Sequence, residues 1–191
     1  MPSSENEERL VEIVRSSPAL MELLTAARSL NLESWCIGAG VVRSLVWDHL
    51  HGFRERSHVE DVDVVYYDDS IDGPHETVLA AQLIDSLPSV RWEVTNQALV
   101  HEWFLEAHAQ VVPPLRSLAD GIATWPEYAT CVGVTLRADD ALEVIAPHGL
   151  EDLFGLKIRH NPSRASAAVF TERVATKRFT ERWPMVSLDL N

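Results

Sequence analysis

The chain is short of cysteine and of basic residues, and both shortages restrict what it can do. Its two cysteines, Cys36 and Cys131, lie in separate apolar runs, so neither belongs to a closely spaced pair that could hold zinc or form a redox disulfide. Sixteen Lys and Arg face 29 Asp and Glu, which gives a formal net charge of −13. Such a charge repels phosphate backbones unless basic residues cluster locally, so nucleic acid is a disfavoured partner.

Long apolar segments are missing too. No run of about 18 apolar residues occurs, so we expect no membrane-spanning helix and no membrane partner. The start, Met1 to Arg9, is polar and acidic where an export signal requires positive charge followed by an apolar stretch. We therefore expect a cytoplasmic protein with two free thiols. The hydrophobic fraction of 46% is typical of a globular chain with one folded core.

The first part of the chain predicts two helices followed by a strand, a glycine turn and a third helix. Ser16-Ser17-Pro18 places a capping serine before a proline, which favours a helix start. Residues 34–37 form a short apolar run that leads directly into Gly38-Ala39-Gly40. Apolar residues then recur at helical spacing until Gly52, so the unit is strand, glycine turn, helix.

The remainder predicts further strands and helices. Acidic residues alternate with β-branched or aromatic ones from Asp61 to Tyr67, which is typical of a strand with two different faces. The other predicted elements are a helix over 75–87, a strand over 90–95, a helix over 115–124, a hairpin of 130–136 and 141–145, and a helical tail over 163–179.

Asp61 and Asp63 are the first candidates for chemistry. Because strand side chains alternate, both carboxylates project from one face, and Val62 and Val64 project from the other. Two like charges so close destabilise each other unless a cation is shared between them. Oxygen ligands suit Mg²⁺ or Mn²⁺, which keep positions open for water and phosphate oxygens. The pattern favours a metal site that binds a nucleoside triphosphate; an exposed acidic strand edge is the alternative.

Gly38-Ala39-Gly40 and Arg43 are candidates for phosphate binding. A glycine turn before a helix lets the backbone approach a phosphate, and the helix N-terminus offers free N–H groups. Arg43, in the first turn of that helix, could reach an anionic group. The chain has neither the dinucleotide-binding glycine pattern nor the lysine of a P-loop, so neither of those sites is predicted. A plain turn and an exposed arginine are the alternatives.

Glu93 is the candidate for a third acid. It alternates with apolar neighbours on the next predicted strand, where it could share a face with Asp61 and Asp63. Two metals held around one phosphoryl centre need such a third carboxylate. An ordinary glutamate on an exposed edge strand is the alternative.

Four motifs occur in order along residues 20–162. They are Gly38-Ala39-Gly40-Val41-Val42-Arg43, Asp61-Val62-Asp63-Val64-Val65-Tyr66, Trp92-Glu93-Val94-Thr95-Asn96-Gln97 and Gly149-Leu150-Glu151-Asp152-Leu153-Phe154. In this combination the chain resembles the bacterial nucleotidyltransferase-like family of unknown substrate, in the superfamily of DNA polymerase beta and the tRNA nucleotidyltransferases.

The resemblance implies an α+β fold with a mixed sheet flanked by helices, a small C-terminal hairpin and a helical extension. Residues 1–17 would form an N-terminal helical segment, residues 18–162 the nucleotidyltransferase-like domain and residues 163–191 a helical tail. In this fold the glycine turn grips phosphates, and the three acids named above bind metal.

Some positions remain open within the resemblance. Lys157 and Arg159 match the family pattern and either contact the triphosphate or are surface charges. The tRNA-processing members have an acid directly after the arginine, where this chain has Ser44. Asp48, one turn later, could replace that acid. The chain also lacks the long helical extension that holds RNA.

Two functions are compatible with these residues. The first is an enzyme that transfers a nucleoside monophosphate from a nucleoside triphosphate to a hydroxyl of an unknown small-molecule or protein acceptor. The second is a catalytically silent nucleotide-binding or partner-binding module of the same fold. The complete set of three acids favours the enzyme. The oligomeric state is open.

Overall fold

Helices and strands alternate along the computed structural model, which describes residues 2–70, 75–102, 104 and 111–189. The α-helices whose bounds lie within these ranges are α1 (Pro2–Arg15), α2 (Pro18–Arg28), α3 (Ala39–Leu50), α4 (Glu76–Ser86), α5 (Leu118–Ile122), α6 (Glu151–Phe154), α7 (Ala167–Lys177) and α8 (Phe179–Arg182). The strands are β1 (Trp35–Gly38), β2 (Val62–Tyr66), β3 (Trp92–Asn96), β4 (Gly133–Leu136), β5 (Leu142–Ile145), β6 (Lys157–Arg159) and β7 (Ser187–Asp189). None of the helices in this part of the chain is long and apolar enough to cross a bilayer.

Five strands form the main sheet, in the order β3-β2-β1-β4-β5. β2 and β3 run parallel and the other neighbours run antiparallel, so the sheet is mixed, as predicted. A parallel pair needs a crossover, and α4 lies in the connection between β2 and β3. The predicted hairpin is confirmed as β4 and β5, which extend the main sheet. β6 and β7 form a separate parallel pair.

The start of α2 follows directly from the sequence. The Ser17 hydroxyl accepts a hydrogen bond from the Leu20 N–H at 3.2 Å, and Pro18 occupies the first helical position, as predicted. α1 and α2 then bury Leu10 and Leu24 in the main core. The predicted N-terminal segment therefore packs on the same core as the sheet.

The C-terminal segment also joins the main core. Phe179 and Trp183 are buried and contact Trp47 of α3 edge to face, with ring centroids 6.0 and 5.2 Å apart. Phe170 of α7 lies in the same cluster. The residues predicted as a helical tail thus brace α3, whereas the predicted domain boundaries after residues 17 and 162 stay predictions.

The two faces of the main sheet pack against different layers. Ile37 and Val64 belong to the large cluster formed with α1 to α4. Cys36 and Val65 point the other way and belong to a small cluster with Ile122 of α5. Because side chains alternate along a strand, Asp63 shares this second face with Val65. The acidic residue therefore lies on the face that is covered by fewer apolar side chains.

Candidate active site

The strand register brings the three predicted acids together. Asp63 of β2 lies directly opposite Glu93 of β3, so their side chains leave the same face of the sheet. Asp61 precedes β2 by one residue, and its charge raises the pKa of Glu93, so the two carboxylates lie near each other. The predicted grouping of acids on one face is therefore present in the structure, whereas their chemical roles stay predictions.

Burial and mutual repulsion both act on this group. Burial, and to a smaller extent the charges of Asp61 and Glu93, raise the pKa of Asp63 to about 6. Burial and the charge of Asp61 likewise raise the pKa of Glu93. In the described ranges, neither Asp61 nor Asp63 forms a salt bridge, and Glu93 has only Arg91 at 3.9 Å on the exposed side. The group therefore carries negative charge that the more distant Arg173 and Lys177 offset only in part.

The donor chemistry fits a hard divalent cation. Carboxylate oxygens are the ligands that Mg²⁺ and Mn²⁺ prefer, and a shared cation would relieve the repulsion that raises the pKa of Asp63. Over the residues that the structure describes, no three His, Cys, Asp or Glu side chains are drawn together closely enough to hold an ion. The acids are neighbours on one face, but their oxygens do not form a closed ligand set.

The glycine turn lies at the same end of the sheet as the acids. β1 ends at Gly38 and α3 begins at Ala39. The antiparallel register pairs Ile37 with Val64, and one further step brings Gly38 level with Asp63. The Ala39 N–H donates to the Val132 carbonyl at 3.1 Å, and Ala39 itself takes a left-handed φ of 50°. The turn is therefore hydrogen-bonded to Val132, directly before β4, and lies beside β2 on its other side.

The two glycines of the turn have different structural reasons. A Cβ at Gly38 would lie 2.6 Å from Trp125 Cη2 and 2.9 Å from the Val132 carbonyl oxygen, so the absence of a side chain lets the indole ring lie against the turn. A Cβ at Gly40 would meet only Arg43 Nη2, at 3.9 Å. The fold requires glycine at position 38, whereas packing does not explain glycine at position 40.

A cavity of about 650 Å³ opens beside Asp63, whereas Asp61 and Glu93 are not among its lining residues in the described part of the chain. Asp63 and Thr95 contribute from the main sheet, and Ala39 contributes from the glycine turn. Trp125 and Gln97 come from the connecting segments. Its volume lies in the range of small-molecule sites, and one nucleotide fits such a space.

Arg43 does not line this cavity. Its side chain is 4% exposed and lies among the rings of Trp47, Phe179 and Trp183, with its Cζ 5.0 to 5.4 Å from the ring centroids. Burial lowers its pKa to about 10. Arg43 Nη2 donates to the Ser44 hydroxyl at 3.3 Å. The residue therefore stabilises the contact between α3 and the C-terminal segment, and its phosphate contact stays a prediction.

The structure does not bring Lys157 and Arg159 to the acids. Both lie on β6, with exposed side chains. Arg159 Nε donates to Asp152 Oδ2 at 3.0 Å, and its guanidinium lies 4.3 Å from the centroid of the Tyr128 ring. Neither basic residue lines the cavity in the described part of the chain. The sequence left open whether these residues contact the triphosphate or are surface charges, and this placement favours surface charges.

Asp48 forms hydrogen bonds that stabilise the fold. Its carboxylate accepts hydrogen bonds from the Ser57 N–H and hydroxyl at 2.7 and 2.6 Å and from Trp183 Nε1 at 2.7 Å. These bonds fix the charged loop after α3 to the C-terminal segment. The geometry therefore gives Asp48 a structural role and does not place it as a substitute for the acid of the tRNA-processing members.

Sequence reasoning missed several residues at the cavity. Trp125, Arg164 and Arg173 line it, but none lies in a motif or at a characteristic spacing. The only local signal near them is Ser166, which caps α7 by accepting a hydrogen bond from the Val169 N–H at 3.3 Å. That signal locates a helix and says nothing about what the helix faces.

Comparisons with known proteins agree with this geometry. A solved structure described as the NMR structure of a CCA-adding enzyme head domain has 27% sequence identity, covers 95% of each chain and superposes with a TM-score of 0.79. A structure of a tRNA-processing enzyme complex has 20% identity and a TM-score of 0.51, and it covers 86% of this chain. This chain spans only 42% of that enzyme, so the second likeness concerns the fold alone. A search of proteins with curated functions gives no match.

The family model described as Nucleotidyltransferase matches residues 25–188, a range that contains the acids, the glycine turn and the whole lining of the cavity. A match of this length over the site itself identifies the chain as a member of the nucleotidyltransferase family, with a nucleoside triphosphate as the implied substrate.

Proposed function

We propose that the protein uses Mg²⁺ or Mn²⁺, bound by Asp61, Asp63 and Glu93, to transfer a nucleoside monophosphate from a nucleoside triphosphate to a hydroxyl of an acceptor. The observation that carries this proposal is the pairing of Asp63 with Glu93 across two neighbouring strands. The glycine turn and the cavity of about 650 Å³ lie at the same end of the sheet, so nucleotide and acids can meet there.

The three carboxylates have different proposed roles because their surroundings differ. When bound, the divalent ion supplies positive charge that polarises phosphate oxygens. Asp63, which lines the cavity and is mostly buried, is positioned to face the phosphates. Its raised pKa also makes it the acid that gains most from a neighbouring cation. The charge of Asp61 acts on both other acids and raises the pKa of each.

Glu93 is the acid that an acceptor arriving from solvent can reach. Its side chain is 47% exposed, and burial and the charge of Asp61 raise its pKa. A carboxylate with a raised pKa is a better proton acceptor, so Glu93 is suited to take the proton of the attacking hydroxyl. It can alternatively complete the metal ligand set.

The proposed acceptor is a small molecule or a protein. The formal net charge of −13 opposes the approach of a long phosphate backbone. An RNA end is the competing class, because one similar structure is described as a CCA-adding enzyme head domain. The charge argument weakens for an acceptor that presents only its terminal nucleotide.

The test is a transfer assay with the full chain. Each nucleoside triphosphate, labelled on its α-phosphate, is incubated with the protein and with small-metabolite, protein or RNA pools, in Mg²⁺ or in EDTA. We expect release of pyrophosphate in Mg²⁺ and a mass gain of one nucleotide in the small-molecule or protein pool. A protein that binds the nucleotide but transfers it to no pool would instead be a silent binding module. Labelling of RNA alone would overturn the acceptor assignment.

A further inference from the structure

The C-terminal segment forms one wall of the cavity. Arg164, Ala165, Ser166, Val169 and Arg173 all line it, at the start and along one side of α7. This wall was predicted only as a helical tail, so its proximity to Asp63 is a product of the tertiary fold.

Buried hydrogen bonds fix the position of this wall. Asn161 is 2% exposed, and its Nδ2 donates to the carbonyls of Ala123 and Trp125 at 2.7 and 2.8 Å. Asn161 therefore joins the chain just before Arg164 to the segment that carries Trp125. The start of the wall and the indole beside the glycine turn are held as one unit.

Arg173 is held by an ion pair whose acidic partner is buried. Its Nε and Nη2 donate to the two oxygens of Glu127, at 2.7 and 3.2 Å. The Glu127 side chain is fully buried and also accepts a hydrogen bond from the Thr130 hydroxyl at 3.0 Å. The charge of Arg173 is thus largely offset by Glu127. The main effect of Arg173 is to hold α7 against the segment that carries Glu127 and Thr130.

Arg164 differs from Arg173 in having a donor left over. Its Nη2 donates to the Pro113 carbonyl at 2.6 Å, and its guanidinium lies 5.7 Å from the centroid of the Phe104 ring. Its Nη1 is buried and has no hydrogen-bond partner among the residues that the structure describes. It forms no salt bridge with any of those residues, and burial lowers its pKa. Arg164 also lines the cavity, and an anionic oxygen bound there beside its guanidinium would stabilise its charge.

We propose that Arg164 binds the polyphosphate end of the nucleoside triphosphate, the part that leaves as pyrophosphate. Asp63 and Arg164 both line the cavity, and a polyphosphate with its cation carries groups that suit each of them. Asp63 would hold the cation that such a group carries, and Arg164 would donate hydrogen bonds to phosphate oxygens. An acceptor hydroxyl carries no charge that needs such a cation. This inference rests on the proposed function, because it names the group of that substrate which Arg164 recognises.

Calorimetric titration with three ligands tests the assignment. Wild-type protein and Arg164→Gln are titrated in Mg²⁺ with ATP, AMP and tripolyphosphate. We expect Arg164→Gln to weaken ATP and tripolyphosphate binding by about tenfold or more, and AMP binding by less than about twofold. Arg164→Lys, which keeps the charge, should retain part of the affinity for tripolyphosphate. Arg116→Gln is the matched control, because Arg116 is exposed and paired with Asp120.

The outcomes separate this proposal from the proposed function. If Arg164→Gln binds tripolyphosphate as tightly as wild type, the role of Arg164 is overturned while the proposed function stands. If that variant does not fold, equal affinity of Arg164→Lys and wild type for tripolyphosphate overturns the role in the same way. An equal loss for AMP would overturn it too, because Arg164 would then contact the nucleoside monophosphate. If wild-type protein shows no Mg²⁺-dependent ATP binding at all, the proposed function fails and the arginine assignment fails with it.

Discussion

The acidic face of the sheet, through Asp63, and the basic C-terminal wall meet at one cavity, but they are assembled in different ways. Asp61 and Asp63 are two residues apart on one strand, so local alternation alone puts them on one face. The wall is held by contacts between distant residues. Arg173 and Glu127 are separated by 46 positions, and Arg164 and Pro113 by 51. Local periodicity predicts the first kind of arrangement and cannot predict the second.

The arginines show the same difference. Arg43 was predicted at the phosphates because it follows the glycine turn by one helical turn, yet it is buried among three aromatic rings. Arg164 was not singled out, yet it lines the cavity, and its Nη1 has no hydrogen-bond partner in the described part of the chain. Sequence spacing fixes how far an arginine lies from a motif along the chain, whereas packing determines which way its long side chain points.

The largest effect is expected from Asp63→Asn, which breaks the acidic face. The amide is isosteric but neutral, so it no longer offsets the charge of a bound cation. We expect Mg²⁺-dependent nucleotide binding to disappear and turnover to fall by about 10³-fold or more. Calorimetry and pyrophosphate release measure both. Asp85→Asn, an exposed position on α4, is the control, and a folded Asp63→Asn variant with normal affinity would argue decisively against the site.

Removal of the same charge should stabilise the metal-free protein. The folded-state pKa of Asp63 is raised from 3.8 to about 6, so its contribution to stability is present below about pH 4 and is lost as the pH rises to about 6. The loss corresponds to about 3 kcal/mol. We therefore compare the unfolding free energy of Asp63→Asn minus that of wild type, in EDTA, at two pH values. This difference should be about 3 kcal/mol more positive above about pH 6 than below about pH 4. Denaturant melts at several pH values check this, and a difference independent of pH would contradict the burial of the charge.

Glu93→Gln separates binding from chemistry within the acidic face. If Glu93 accepts the proton of the acceptor, its loss should reduce turnover by about 10²-fold while sparing nucleotide affinity more than Asp63→Asn does. Single-turnover rates and titrations on the same preparation give the two quantities. Glu33→Gln, an exposed position outside the site, serves as the control. Equal losses of binding and turnover would place Glu93 among the metal ligands alone.

The two glycines of the turn give a matched pair. Gly38→Ala forces a Cβ against Trp125 and the Val132 carbonyl, so it should lower the unfolding free energy by about 1–3 kcal/mol. Gly40→Ala meets no such contact and favours the helix, so its stability should be unchanged or higher. Its nucleotide affinity should nevertheless fall severalfold, because the added methyl hinders the approach of a phosphate to the backbone. If Gly40→Ala binds the nucleotide normally, the turn has only a structural role.

The smallest effect is expected at β6. Arg159→Gln should change nucleotide affinity by less than about twofold, because its guanidinium pairs with Asp152 away from the cavity. Comparison with Arg164→Gln in the same titration sharpens the contrast between a surface arginine and one at the cavity. A tenfold loss in Arg159→Gln would instead restore the triphosphate role that the sequence left open.

Several features were determined by the sequence alone. The serine cap and proline at the start of α2, the glycine turn between β1 and α3, and the shared face of Asp61 and Asp63 each depend on residues within a few positions of one another. Glu93 was placed correctly for a related reason. It occupies an alternating position on the strand after the next helix, and parallel pairing of the two strands then brings it opposite Asp63.

Only the tertiary structure decided the remaining features. It buried Arg43 in an aromatic cluster, left Lys157 and Arg159 on a separate strand pair, and brought the C-terminal segment to the cavity. In each case the sequence shows which polar side chains are present, but not where they lie in the fold. Their positions depend on which apolar surfaces pack together across the whole chain, as when Phe179 and Trp183 pack on Trp47 and place α7 beside the sheet.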